Sequence, residues 1–91
     1  MKVKFEKSFH RDLKKIKNKT ILEKVKETIE IFENIEDIRE FRGDLKKLTS
    51  GSNQWRIKIG DYRIGVEIKK DTVIFVRILH RKDIYKYFLF L

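Results

Sequence analysis

The spacing of apolar residues changes once along this chain, from a helical period to a strand period. At the N-terminus, Val3 and Phe5 alternate with charged residues, which predicts a short strand. Two stretches at helical spacing follow, and each has one apolar face. The first face is formed by Phe9, Leu13 and Ile16, and the second by Ile21, Val25, Thr28, Ile29 and Phe32. We therefore predict two helices, separated at 18–20, with Ser8 as the N-cap of the first.

Beyond a turn-forming segment at 49–53, the period becomes two residues. One predicted strand carries Trp55, Ile57 and Ile59, and the next carries Tyr62, Ile64, Val66 and Ile68. Gly60 and Asp61 form the tight turn between them. A third stretch, 73–79, is apolar almost throughout, as expected of a strand covered on both faces. The region 34–43 has no regular pattern.

These elements predict an α+β fold in the order β-α-α-β-β-β, as a single domain over 1–91. The two helices form a hairpin that packs on one face of a small, mainly antiparallel four-stranded sheet. The last three strands form a meander, because tight turns join them. We expect the first strand to join the edge of that meander.

The charge balance points to an anionic partner. Lys and Arg number 23 against 14 Asp and Glu, which gives a net charge of +9 and a pI near 9.9. Nucleic acid is the leading candidate, an acidic protein is a second, and a Lys-rich composition set by genome or habitat is a third. The absence of cysteine fits a reducing compartment. No apolar run approaches the roughly 20 residues that span a bilayer, and no signal peptide is evident, so we expect a cytoplasmic protein without membrane contact.

Alternation predicts where the cations lie on the sheet. Arg56 and Lys58 point away from the apolar set of their strand, and so does Arg63 on the next strand. The two-residue turn brings these three side chains onto one face. Like charges that cluster in this way are explained if an anion neutralises them. Gly65 leaves room for a ligand on the same face, although basic residues on an outer face are often merely solvated.

Further chemistry follows the third strand, at His80, Arg81 and Tyr85. Arginine and lysine can stabilise the negative charge of a phosphorane, and lysine or histidine can move protons. Tyrosine can stack on a base. RNA supplies its own nucleophile, the 2′-hydroxyl, so this chemistry requires no metal and no cofactor. His10 and His80 are too far apart in sequence to read as a metal motif.

Three segments of the chain resemble the RelE/ParE toxins of bacterial and archaeal toxin–antitoxin pairs. They are 45–48 (LKKL), the hairpin from Trp55 to Ile64 with its R-x-K-x-G-D-Y-R pattern, and the stretch from Val76 to Tyr85 with its H-R-x-x-x-Y ending. The hairpin and the ending are specific in combination. The N-terminal strand and the Phe9-x-x-x-Leu13-x-x-Ile16 pattern also fit, so the resemblance spans essentially the whole chain.

The resemblance implies a ribosome-associated endoribonuclease that cuts mRNA by metal-independent 2′-hydroxyl attack. By position it implies that Lys58 is the base, that Arg63 holds the scissile phosphate and that Arg81 assists the leaving group or the phosphate. Tyr85 would orient a base of the RNA, and His80 could replace Lys58 in proton transfer. Arg56 stands where a lysine is usual. We expect Lys46, Lys47, Arg77 and Lys82 to contact RNA.

The same resemblance leaves two other functions open. ParE-type members inhibit DNA gyrase and are not nucleases, but they tend to lack the full basic set that this chain retains. A catalytically silent member would only bind its antitoxin and repress transcription with it. In each case the implied partner is an acidic antitoxin protein in a heteromeric complex, and the nuclease would add mRNA and the ribosome.

Overall fold

The computed structural model describes residues 1–48 and 53–87. In chain order its elements are strand β1 (Lys2–Phe5), helices α1 (Lys7–Lys14) and α2 (Lys19–Asn34), a 3-10 turn (Ile38–Glu40), strands β2 (Leu45–Lys47), β3 (Gln54–Ile59), β4 (Tyr62–Lys69) and β5 (Thr72–His80), and a short helix α3 (Ile84–Tyr87). Most of the predicted turn at 49–53 lies outside the described residues. None of the described helices has the length and apolar character needed to cross a bilayer.

The strands form one mixed sheet in the order β1-β5-β4-β3-β2. The predicted antiparallel meander of β3, β4 and β5 is confirmed, and β1 joins its edge by pairing in parallel with β5. The prediction of four strands is wrong, because β2 adds a fifth strand antiparallel to β3. A stretch of three residues is too short to show a period of two, so the sequence pattern does not reveal β2.

The predicted helix hairpin covers one face of the sheet, and the core lies between them. Phe75 on β5 is fully buried. Its ring centroid lies 5.4 Å from that of Phe9 on α1 and 6.0 Å from that of Phe32 on α2. Ile57 on β3 and Ile64 on β4 also belong to this core, and each is at most 1% exposed. The buried aromatic cluster therefore fixes both helices against the same face.

Local signals explain the helix starts and the first hairpin turn. Asn18 caps α2, because its Oδ1 accepts hydrogen bonds from the N–H groups of Thr20 and Ile21 at 3.0 and 3.2 Å. The prediction of Ser8 as the cap of α1 is wrong, because Glu6 holds that position. Ser8 Oγ instead donates to the Val76 carbonyl at 2.6 Å. Gly60 begins the β3–β4 turn with a φ of 56°, which glycine adopts without strain.

Candidate functional site: the basic face of the sheet

Strand register places the predicted cations together on the face opposite α1 and α2. Lys58 lies directly opposite Arg63 across β3 and β4, and Arg56 lies opposite Gly65. The residues that alternate with Arg56 and Lys58 on β3 are Ile57 and Ile59, and both are buried in the core. The shared placement predicted for these three cations is therefore confirmed. We call this surface, defined by Arg56, Lys58 and Arg63, the basic face.

Strand β2 brings a carboxylate to the basic face. Asp44 immediately precedes β2, and its carbonyl accepts a hydrogen bond from the Lys58 N–H at 2.9 Å. Its Oδ1 forms an ion pair with Arg56 Nη1, also at 2.9 Å. The hydrogen bond from Arg56, together with the charges of Arg56, Lys58 and Arg63, lowers the pKa of Asp44. The cation cluster therefore contains its own anion.

Arg56 is a largely enclosed cation of the basic face, with a side chain only 13% exposed. Burial acts to lower the pKa of its guanidinium, but the hydrogen bonds to Asp44 and Tyr85 outweigh burial and raise it. Its Nε is buried and has no hydrogen-bond partner among the described residues. Arg56 therefore stays charged and has little freedom to move.

Helix α3 lies over part of the basic face. Tyr85 reaches Arg56, and the ring centroid of Tyr87 is 5.5 Å from the guanidinium carbon of Arg77. Ile84 is fully buried, although it does not belong to the core between sheet and helices. Gly65, which lies opposite Arg56 and Arg77 in the strand register, is buried. The predicted neighbourhood of Tyr85 and the cations is present, and Tyr85 remains 44% exposed.

Arg63 and Arg81 each donate hydrogen bonds to carbonyls at the turn between β3 and β4. Arg63 Nη1 donates to the Gly60 carbonyl at 2.8 Å and to the Tyr62 carbonyl at 3.0 Å. The Arg81 N–H donates to the Asp61 carbonyl at 2.8 Å. The Arg81 side chain is exposed at the same end of the sheet as Lys58. The structure thus brings Arg81 to the border of the basic face.

His80 lies on the other side of the sheet. Its register partner is Tyr62, which in turn pairs with Ile59, a residue of the core. The rings of His80 and Tyr62 are 5.8 Å apart and nearly perpendicular. His80 Nδ1 accepts the Lys82 N–H at 3.2 Å. The structure therefore does not bring His80 together with the basic face. A register shift between Gly65 and Val66 in the β4–β5 ladder reverses the alternation along β5, so His80 lies on the same side as Phe75.

The four residues predicted to contact RNA separate into different environments. Lys46 lies opposite Arg56 and is exposed on the basic face. Lys47 points the other way, with its Nζ 5.8 Å from the ring centroid of Trp55. Lys82 is exposed in the turn after β5. Arg77 shares the register of Gly65, but its guanidinium turns to the edge of β5 and pairs with Asp12.

The ion pair between Arg77 and Asp12 gives Arg77 a structural task. Arg77 Nε and Nη2 donate to the two carboxylate oxygens of Asp12 at 2.6 and 3.0 Å. These hydrogen bonds raise the pKa of Arg77, against the opposing effect of burial. Asp12 also accepts the Ile78 N–H at 3.1 Å. This N–H belongs to the part of β5 that extends beyond β1, so Asp12 closes a free sheet edge.

Asp44 and Asp12 are two site residues that the sequence pattern does not predict. The signal for Asp44 was its place two residues before Lys46, which strand alternation would put on the same face as Lys46. This spacing indicates a shared face only if 45–47 forms a strand, which the sequence pattern does not show. Asp12 had one weak signal, as the only acidic residue within the basic first helix.

The arrangement can bind an anion with several phosphate groups. Arg56, Lys58 and Arg63 converge, Arg81 borders them, and Lys46 extends the positive surface along β2. Arginine and lysine in such a cluster form charge-assisted hydrogen bonds to phosphate oxygens. Among residues 1–48 and 53–87, no three His, Asp or Glu side chains group as metal ligands would. Besides the cations, the site contains the Asp44 carboxylate and the Tyr85 phenol.

The sequence is similar to those of known proteins. A family model described as the ParE toxin of type II toxin–antitoxin systems matches residues 3–85. The chain is 44% identical over 88 residues to toxin RelE3 of Methanocaldococcus jannaschii, which covers 97% of this chain and 99% of the relative.

Solved structures show the same fold. The RelB–RelE antitoxin–toxin complex of Methanococcus jannaschii matches with a TM-score of 0.79 at 41% identity, over 93% of this chain and 98% of the matched one. The toxin–antitoxin complex RelBE2 of Mycobacterium tuberculosis matches with a TM-score of 0.65 at 27% identity, over 88% and 96%.

Proposed function

Because this chain belongs to the RelE/ParE family and is the toxin of a toxin–antitoxin pair, we propose that it is an endoribonuclease that cuts mRNA on the ribosome. One observation carries the proposal. Lys58 and Arg63 face each other across β3 and β4, with Arg56 beside them and Tyr85 in contact with Arg56. The proposed base, the proposed phosphate-binding cations and the proposed stacking ring therefore lie within one small area.

In the proposed reaction, the 2′-hydroxyl oxygen of one nucleotide attacks the adjacent phosphorus atom. Lys58, in its neutral amine form, takes the hydroxyl proton and becomes an ammonium group. Arg63 and Arg56 stabilise the additional negative charge on the phosphate oxygens. The bond from phosphorus to the 5′-oxygen breaks. Arg81 stabilises the charge on that leaving oxygen, which takes a proton from water. The upstream fragment then ends in a 2′,3′-cyclic phosphate, and the downstream fragment begins with a 5′-hydroxyl.

Lys58 is our choice of base over His80 because of where each side chain lies. Lys58 is exposed on the basic face opposite Arg63, whereas His80 packs against Tyr62 on the helix side of the sheet. A general base must lie within hydrogen-bond reach of the proton that it removes. A phosphate held by Arg63 places the reacting nucleotide next to Lys58.

We propose that the partners are a cognate acidic antitoxin, mRNA and the ribosome. The matched structures from M. jannaschii and M. tuberculosis are toxin–antitoxin complexes, and the net charge of +9 favours an acidic binding partner. We further propose that the chain acts in the cytoplasm, where ribosomes translate mRNA.

The test is an mRNA cleavage assay on programmed ribosomes with the purified chain. We expect cleavage within the codon in the A site, and upstream fragments that end in a cyclic or 3′-phosphate. Lys58→Ala, purified in the same way, is the inactive control. Intact mRNA together with inhibited gyrase supercoiling would overturn the proposal in favour of a ParE-type gyrase inhibitor. Loss of both activities, with antitoxin binding retained, would indicate a silent corepressor.

A further inference from the structure

Asp44 is a carboxylate placed among cations that are suited to hold RNA phosphate. Its Oδ1 lies 2.9 Å from Arg56 Nη1, and the charges of Lys58 and Arg63 also act on it. A phosphate bound by Arg56 from the same side would lie close to this carboxylate. Two anions at such a distance repel each other, so they compete for the guanidinium.

The backbone of Asp44 is fixed, so its position is a property of the fold. The Lys58 N–H donates to its carbonyl, and the β2–β3 pairing begins at the next residue. On the other side, Gly43 lies against the ring of Phe41, where an added Cβ would come within 2.6 Å of the ring carbons. Phe41 stacks on Phe32 of the core at a centroid distance of 4.6 Å. The chain therefore delivers Asp44 to the edge of the basic face.

Of the two partners, Asp44 is the one that can move away. Its side chain is 54% exposed, whereas that of Arg56 is only 13% exposed and also contacts Tyr85. Rotation of the Asp44 side chain would place its carboxylate in water at little cost. Arg56 would remain where it is and could accept a new anion.

We propose that Asp44 is an internal counter-ion of the basic face, and that an RNA phosphate must replace it at Arg56 before RNA can bind there. This inference rests on the proposed function only in taking RNA as the anion. Because the phosphate replaces an anion that Arg56 already binds, a phosphate contact at Arg56 contributes less binding free energy. The basic face then discriminates against isolated phosphates and favours RNA that also engages Lys58 and Arg63.

The test compares Asp44→Asn with Asp37→Asn as a matched control. Asp37 also pairs with an arginine at 2.9 Å, but it does so at the 3-10 turn, with Arg39. Both substitutions raise the net charge by one. Both variants are expected to fold, because asparagine can cap the 3-10 turn as aspartate does, and because Asp44 is held by its backbone carbonyl.

Binding is measured by fluorescence anisotropy with a single-stranded, 2′-O-methylated RNA oligonucleotide, which cannot be cleaved, over a series of salt concentrations. We expect Asp44→Asn to bind about five- to tenfold more tightly than the unsubstituted chain, the effect of removing one close like charge. The slope of log K against log salt should steepen by about 0.7, the value for one more phosphate contact on a single strand. Asp37→Asn should change affinity by about twofold or less.

A second comparison asks whether Asp44 acts through Arg56. In an Arg56→Gln background, the effect of Asp44→Asn should fall to that of Asp37→Asn, because the ion pair is already absent. Equal gains for Asp44→Asn and Asp37→Asn, weaker binding by Asp44→Asn, or an undiminished effect without Arg56 would each overturn the proposal.

Failure of this inference can be distinguished from failure of the proposed nuclease. The oligonucleotide assay requires neither ribosomes nor cleavage. Intact mRNA on ribosomes together with the expected Asp44→Asn effect would refute the nuclease function and support the counter-ion role of Asp44. Cleaved mRNA without that effect would support the nuclease function and refute the counter-ion role.

Discussion

Arg77 on β5 and Asp12 on α1 are joined by two hydrogen bonds, although 65 positions separate them in the sequence. The pair lies where β1 ends and the edge of β5 would otherwise be free. Asp12, only 6% exposed, also accepts the Ile78 N–H. One carboxylate thus satisfies a side chain and a backbone group, and it ties the first helix to an interior strand of the sheet.

We predict that Asp12→Ala lowers the free energy of unfolding by about 2–4 kcal/mol. The substitution leaves the Arg77 charge and the Ile78 N–H without their acceptor in a largely buried place. Urea denaturation measures the loss. Glu23→Ala, which removes an exposed carboxylate from α2, is the charge-matched control and should change stability little. Equal stability of the two variants would show that the ion pair does not hold α1 to β5.

The second prediction concerns the general base. Lys58→Ala should reduce the rate of ribosomal mRNA cleavage by about 10²–10⁴-fold, the usual contribution of a positioned acid–base group. His80→Ala should change the rate of the chemical step only slightly, since His80 lies on the other side of the sheet. Single-turnover cleavage separates this step from binding. A larger loss in His80→Ala than in Lys58→Ala would exchange their assignments.

The third prediction uses two adjacent lysines with different environments. Lys46 lies beside Arg56 on the basic face, whereas Lys47 packs on Trp55. Lys46→Ala should weaken RNA binding about threefold and reduce the salt slope by about 0.7, the amount expected for one lost phosphate contact. Lys47→Ala removes the same charge and should have a smaller effect on both. Equal effects would mean that only the overall charge matters.

The fourth prediction concerns acid stability. The hydrogen bond from the Arg39 side chain lowers the pKa of Asp37 from 3.8 to about 2. A carboxyl whose pKa is lower in the folded state stabilises the fold above its unfolded pKa, and this stabilisation disappears as the pH falls through its folded pKa. The stability difference between the unsubstituted chain and Asp37→Asn should therefore be constant above about pH 5 and shrink between about pH 4 and pH 2. Urea midpoints across this range test it, and a difference that grows on acidification would contradict the assignment.

The residues that share a face within one element can be predicted from the sequence. Because strand side chains alternate, Arg56, Lys58 and Arg63 had to lie together once the Gly60 turn joined their strands. The apolar faces of α1 and α2 likewise had to pack against that sheet. These features depend on spacing within short stretches, and spacing can be read directly from the sequence.

Which elements lie side by side is known only from the tertiary structure. Strand β2 places Asp44 next to Arg56. Helix α1 lies along β5, where Asp12 forms an ion pair with Arg77. His80 lies on the helix side of the sheet, because the register of the whole ladder decides on which side a residue at the end of a strand lies. Such pairings join residues far apart in the chain, and their free energy comes from burial and from ion pairs that exist only after the sheet has formed.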